Sequence, residues 1–357
     1  MVDSKKQWKA WLYLSPAIVL LLVFTVWPIV NTIMMAFQNG YDTNAALGGA
    51  TFEFGFENFK TILTDKYAHF VPAVLNTFLL CFLTVPISTI LALVIAVCLN
   101  AIKPLQKFLQ TIFFLPYVTN SLAIGLVFVA MFTVVGQSKA GAAGLETTGI
   151  VNQFFSSLSG DSEFFVDWID SARVDSYRKW LATTDIISNI KNSGMPPVFR
   201  DYFVSLVNGI PNLTVLVVFT VWNALPFKIL IFLGGLQSIN KQYYEAAKID
   251  STPKFRVFTK ITVPLLSPMI SYVVITGFIG GFKEYSNVVA IFQKGSKTIP
   301  NMGPMNDQHR FKTMVGIIYD FLDKSQGRAS AAAIILFIII FIVTMINLRI
   351  SNKNTHY

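Results

Sequence analysis

Six stretches of the chain are apolar over at least the roughly 20 residues that a helix needs to cross a hydrocarbon core. They run over about Trp11–Phe37, Val74–Leu99, Phe108–Val135, Leu213–Leu236, Leu265–Phe292 and Ala329–Ile350. Backbone groups in lipid have no water to bond, so an isolated apolar run of this length must satisfy them internally, as a helix. The pattern predicts an all-α, polytopic membrane protein with about six transmembrane helices. Three segments follow: residues 1–136 with the N-terminal tail and first three spans, an insertion over 137–211, and residues 212–357 with the last three spans.

Composition agrees. Of 357 residues 54% are hydrophobic and 13% charged, against about 25% charged in soluble domains. The net charge of +9 would suggest nucleic acid in a soluble protein. Here its placement orients the chain in lipid, and no nucleic-acid partner is expected. Lys5, Lys6 and Lys9 resemble a secretory leader, but the apolar run behind them is too long for one and lacks a nearby cleavage site. It reads as a retained span. With both termini in the cytoplasm, the short inner segments are the more densely basic, as the positive-inside tendency requires. The basic loop before the sixth run argues the other way, but long loops follow the tendency weakly. The insertion then lies outside. It mixes aromatic with acidic residues, enough for short helices at the membrane surface.

Little enzyme chemistry is visible. Cys81 and Cys98 share one apolar run without zinc spacing, and His69, His309 and His356 are scattered, so no metal site is expected. No G-x-x-x-x-G-K-[ST] loop is present to cradle nucleotide phosphates.

The loop 237–264 carries the strongest signal. Asn240 suits the cap of a short helix that runs to Asp250. Thr252 suits the cap of a second helix with Pro253 at its first position. Phe255, Phe258 and either Ile261 or Thr262 then share a face, and Pro264 marks a boundary before the fifth run. Such a helical pair is either a lever gripped by a soluble partner or an amphipathic pair on anionic headgroups.

Glu245-Ala246-Ala247, Asp250, Phe258, Ile261, Pro264 and Pro268 resemble the EAA loop of binding-protein-dependent ABC importer permeases. Glu57-Asn58-Phe59, Asn76-Thr77, Phe113-Phe114-Leu115-Pro116, Leu236-Gln237-Ser238-Ile239 and Ala329-Ser330-Ala331 are similar to the carbohydrate-uptake (maltose/glycerol-phosphate-type) branch. The resemblance implies the type I importer permease fold in a bacterial or archaeal cell membrane. It implies a second permease subunit, two cytoplasmic ATPase subunits and an extracytoplasmic solute-binding protein. This chain would bind no cofactor, with ATP and Mg on the partner ATPase, and would be no enzyme. Glu245, Ala246, Ala247, Asp250 and Ser251 would lie at the ATPase contact, with Phe258 and Ile261 bracing the loop. Ser251 replaces the family's usual Gly. A Ser held in the same left-handed geometry costs roughly 1 kcal/mol; either that turn is kept at this cost, or the Thr252–Pro253 cap offsets it by fixing a different one.

Polar groups inside the apolar runs mark candidates for the solute path. Lys228 either faces the path or snorkels to headgroups. Lys283 and Glu284 lie in the outer part of the fifth run, and Trp222, Asn223, Tyr285 and Asn287 lie at comparable depths. Amides and aromatic faces suit sugar hydroxyls and rings. They equally suit packing and bonding between helices. An ion-driven transporter is the alternative reading, with Glu284 as its one intramembrane carboxylate candidate.

Overall fold

The computed structural model describes residues 7–64, 70–102, 106–132, 134–135, 147–160, 166, 168–169, 176–292 and 311–354. Apart from the two-residue strands Val134–Val135 and Thr147–Thr148, paired antiparallel, the regular elements among these residues are helical. Four helices are long and apolar enough to cross a bilayer: Trp11–Phe37, Phe70–Ala101, Ile210–Ser238 and Gln326–Ser351. A fifth span is present if Lys254–Leu265 and Ser267–Phe282, bent by 68°, count as one.

The difference from the six expected has local causes. The third run divides into Gln106–Val118 and Ser121–Phe132. Asn120 stands at the break, and its side chain accepts from the Leu122 amide at 2.8 Å, which caps the new helix. The fifth run ends as a helix at Phe282 and restarts as Ser286–Phe292. Two long helices carry a π-helical turn just ahead of a proline: Leu22–Val26 before Pro28, and Phe258–Thr262 before Pro264. A proline inside a helix removes an amide and crowds the carbonyl four residues back, and a π turn locally widens the ladder there.

The chain divides into two units. One comprises residues 1–70 and 315–338, the other 71–314 and 339–357. In the first, Asn58 is the pin. It is buried; its amide nitrogen donates to the carbonyls of Ala36 at 3.0 Å and Gln38 at 2.7 Å, and its oxygen accepts from the Gly40 amide at 3.4 Å. The end of the first span helix is thus held against the helix Glu57–Thr64. Phe37 stacks against Phe56 and Phe59 beside it. Gly327 packs so closely that a Cβ there would lie 2.8 Å from the Asn58 amide nitrogen.

In the second unit Ile210–Ser238 is the central strut. Val215, Leu216 and Phe219 pack with Leu80, Val288, Ile291 and Phe292. Further along, Ile229, Phe232, Leu233 and Leu236 pack with Ala92, Ala96, Leu99, Leu266 and Val273. The insertion forms short helices, Ile150–Ser159, Ser176–Thr183, Ile186–Asn192 and Pro197–Asn208. Asn152, fully buried, donates to the Val166 carbonyl and accepts from the Val166 amide and the Trp168 indole. Asn212 then donates to the Trp168 carbonyl at 2.9 Å, tying this segment to the start of the strut.

Ser121–Phe132 lies against Ser286–Phe292 at backbone distance. A Cβ on Gly125 would fall 2.4 Å from the Ala290 Cβ and 3.0 Å from its carbonyl oxygen. Without a hydrophobic drive between helices in lipid, such small-residue approaches supply the packing. Gly125→Leu is expected to destabilise the protein by about 1–3 kcal/mol through overpacking, read as a lower unfolding temperature in detergent. Gly280→Ala, where an added Cβ meets nothing within 4 Å, is expected to leave that temperature unchanged or slightly raised.

Candidate functional site

Two sets of residues carry the sequence-derived expectations, and both lie in the second unit. The first is the elbow between the strut and the fifth span. Its leading helix is Lys241–Ile249, and Asn240 caps it as expected, accepting from the Gln242 amide at 3.0 Å. Its end decides between the two turns left open by the sequence. Ser251 has φ +51°, the left-handed conformation that Gly usually supplies. The Thr252 amide donates to the Ala247 carbonyl and the Ser251 amide to the Lys248 carbonyl, each at 3.0 Å. This crossed pair is a Schellman closure. The turn expected for Gly is therefore kept with Ser, and no alternative turn is built by Thr252–Pro253. Pro253, not Thr252, is the capping position of the next helix, Lys254–Val257.

The elbow folds on itself. Tyr244 and Thr262 share a hydrogen bond of 3.2 Å through their hydroxyls, and Ala247 is buried. Phe258 and Ile261 are half-buried, but Phe255 is 78% exposed and does not share their environment. The bend falls at Leu266, two residues past Pro264, and Leu266 is buried among Ile229, Phe232 and Leu236. Glu245, Ala246, Asp250 and Ser251 are exposed. Beside them Asn240, Gln242, Tyr243, Ala246, Ala247, Asp250, Thr252 and Ile261 line a groove of about 380 Å³. Ile249 is 84% exposed and Tyr243 54%, so two large apolar side chains of this helix are uncovered beside the exposed charges of Glu245, Lys248 and Asp250.

The second set is a polar seam among apolar helices. Glu284 lies in the break between Phe282 and Ser286, not on a continuous helix. Its carboxylate accepts from the Asn287 amide at 2.9 Å and the Asn287 side chain at 3.0 Å. The Asn287 oxygen accepts from Asn223 at 2.8 Å, and Asn223 also donates to the Ser121 hydroxyl at 3.1 Å. Thr313 donates to the Glu284 carbonyl at 3.0 Å. Three separate helices and a break therefore meet at Asn223, Asn287 and Glu284. Half-buried Tyr285 and Trp222 pack at the edge of the adjoining apolar cluster, Trp222 with its ring 5.2 Å from Phe128. Lys283 is exposed and terminates the helix Ser267–Phe282.

Lys228 is apart from this seam. It does not snorkel. Its ammonium is buried, donating to the Ser88 hydroxyl at 2.6 Å, the Thr89 hydroxyl at 3.0 Å and the Val85 carbonyl at 3.3 Å. Three oxygens match its three donors. Gly277 faces it, where a Cβ would stand 3.4 Å from the ammonium nitrogen. Ser88, Thr89 and Ser121 were not singled out from sequence. Hydroxyls in apolar runs usually bond their own helix carbonyl, as Ser88 and Thr89 also do, so their second role leaves little trace in the sequence. Among the described residues no group of three His, Cys, Asp or Glu is placed to hold a metal.

Comparison with known proteins places this geometry in a family. The family model described as binding-protein-dependent transport system inner membrane component matches residues 84–356. The arabinooligosaccharides transport system permease protein AraP of Bacillus subtilis is 25% identical over 346 residues, spanning 96% of this chain and 88% of that protein. The probable ABC transporter permease protein MG188 of Mycoplasma genitalium is 26% identical over 336 residues, spanning 93% and 82%. Among solved structures, a bacterial alginate ABC transporter in complex with an alginate pentasaccharide-bound periplasmic protein superposes with a TM-score of 0.66. It is 18% identical, covering 99% of this chain and 96% of the matched one. The fold is that of an ABC importer permease, and the ion-driven alternative has no support among these relatives. The chain belongs to the family of inner membrane components of binding-protein-dependent transport systems.

Proposed function

We propose that this chain is one of two permease subunits enclosing the path of a sugar or oligosaccharide. A binding protein would deliver the solute outside, and two copies of a separate ATPase would supply the energy inside. The observation that carries the reading is the elbow 240–266. A stiff, capped helix presents Glu245, Ala246 and Ile249 to solvent and continues into the fifth span through a buried joint. A partner that grips the first part must move the second. ATP and Mg would reside on the ATPase, and this chain would hold no cofactor. The elbow and both termini would then be cytoplasmic, and the insertion would face the binding protein.

The carbohydrate assignment draws on relatives such as AraP, whose name gives arabinooligosaccharides as the solute. Within this chain it has support from the seam, where amides and a carboxylate stand beside Trp222 and Tyr285. Amide and carboxylate hydrogen-bonding groups with aromatic faces match a polyhydroxylated ring. Asn223→Leu is expected to lower solute uptake in vesicles while ATP hydrolysis by the assembly continues. Unchanged uptake would remove Asn223 from the path.

The elbow makes two further predictions. Glu245→Arg places a cation on the gripping face, and uptake is expected to fall while the chain still inserts and the ATPase still turns over. Coupled transport at the normal ratio of solute to ATP would overturn the role given to the elbow. Ser251→Gly relieves the left-handed residue and is expected to stabilise the elbow by about 1 kcal/mol. Ser251→Val is expected to weaken it by more, as protease sensitivity of the 240–264 segment would report.

A further inference from the structure

The first unit contains a polar cavity that the transport reading does not use. It measures about 350 Å³ and is lined by Asn39, Gly40, Glu57, Asn58, Thr61, Phe321, Lys324, Ser325 and Arg328. Asn58 is fully engaged in pinning backbone, and Asn39 accepts from the Glu57 amide. The remaining polar side chains do not neutralise one another. Among the described residues, Glu57, Thr61, Lys324, Ser325 and Arg328 make no side-chain hydrogen bond or ion pair. Arg328 is nonetheless half-buried. Its guanidinium has no acceptor among the described residues, so its donors are free to meet a ligand that supplies one.

The position of the cavity narrows the ligand. Asn39 and Gly40 immediately follow the span Trp11–Phe37, and Arg328 lies in the first turn of the span Gln326–Ser351. The cavity is therefore at the level where one span leaves the hydrocarbon and another enters it. Phe54 and Phe56, 70% and 72% exposed, belong to the same segment and leave apolar surface uncovered there. Arg and Lys supply a fork and a point charge for phosphate oxygens. Thr61 and Ser325 offer hydroxyls for a glycerol or ethanolamine moiety, and Glu57 offers a counter-charge for an amine.

The geometry points to a phosphate-diester site at the membrane boundary, in which Arg328 and Lys324 hold a phospholipid headgroup. It is independent of the solute carried and of the side on which the cavity opens. The test uses the full-length chain, purified in detergent with the partners it retains, and native mass spectrometry with dihexanoyl-phosphatidylglycerol as probe. Wild type is expected to bind the probe. Lys324→Gln with Arg328→Gln is expected to bind it about tenfold or more weakly, since each basic residue near anionic lipid contributes several-fold. A phosphate-free diglucosyl lipid of the same chain length is expected not to compete. Glu57→Gln, which leaves the cations intact, is expected to bind the anionic probe more tightly and keeps the proposal testable if the double variant fails to fold. Equal binding by wild type and the double variant, or no effect of Glu57→Gln, would overturn the site. Displacement of the probe by millimolar inorganic phosphate would reassign it from lipid to a free phosphorylated solute.

Discussion

A polypeptide in hydrocarbon has nowhere to send an unmade hydrogen bond, and each interruption of a helix there must be closed by groups of the chain itself. Asn120 closes the gap between the halves of the third apolar run. Glu284 closes the gap in the fifth, accepting from the first turn of the helix that follows. The short helices that start at those breaks pack at backbone distance. Gly125 against Ala290 is the closest such approach. The polar seam grows from the same breaks: Ser121 and Asn287, each in the first turn of a restarted helix, accept from Asn223 on the strut.

The apolar runs made the membrane class and the positions of the long helices legible, because hydrocarbon thickness sets their length. The breaks were harder to see. A run of apolar residues reads the same whether it crosses straight or turns at Asn120. Hydropathy also does not register that Lys283–Tyr285 leaves the helix. In the elbow, Asn240 was readable as a cap because its chemistry is local. The left-handed Ser251 was not, since its side chain gives no positive reason for that conformation. Two bonds, from its own amide and from that of Thr252, hold it there. Lys228 shows the limit most clearly. Its sequence position permits a reach to the headgroups or inward, and Ser88 and Thr89 of another helix decide for inward.

The motif residues Asn58, Asn76 and Thr77 gain a physical meaning. Asn58 binds backbone carbonyls at the end of the first span helix. Asn76 donates to the Lys312 carbonyl at 3.1 Å, and Thr77 accepts from the Met314 amide at 3.0 Å. All three are buried. Each joins chain segments that are far apart in sequence and irregular where they meet, a task that an apolar side chain of equal size cannot perform.

The solvation of Lys228 by hydroxyls and a carbonyl bears on how such a bundle tolerates water. A Coulomb attraction between two full charges weakens many-fold as its surroundings pass from dry to wet. Dipolar oxygens around a single cation are replaceable by water molecules one at a time, with far smaller swings in energy. An interior cation held in this manner can be hydrated and dehydrated repeatedly without acting as a latch, so wetting of the strut's flank need not be opposed by a buried ion pair.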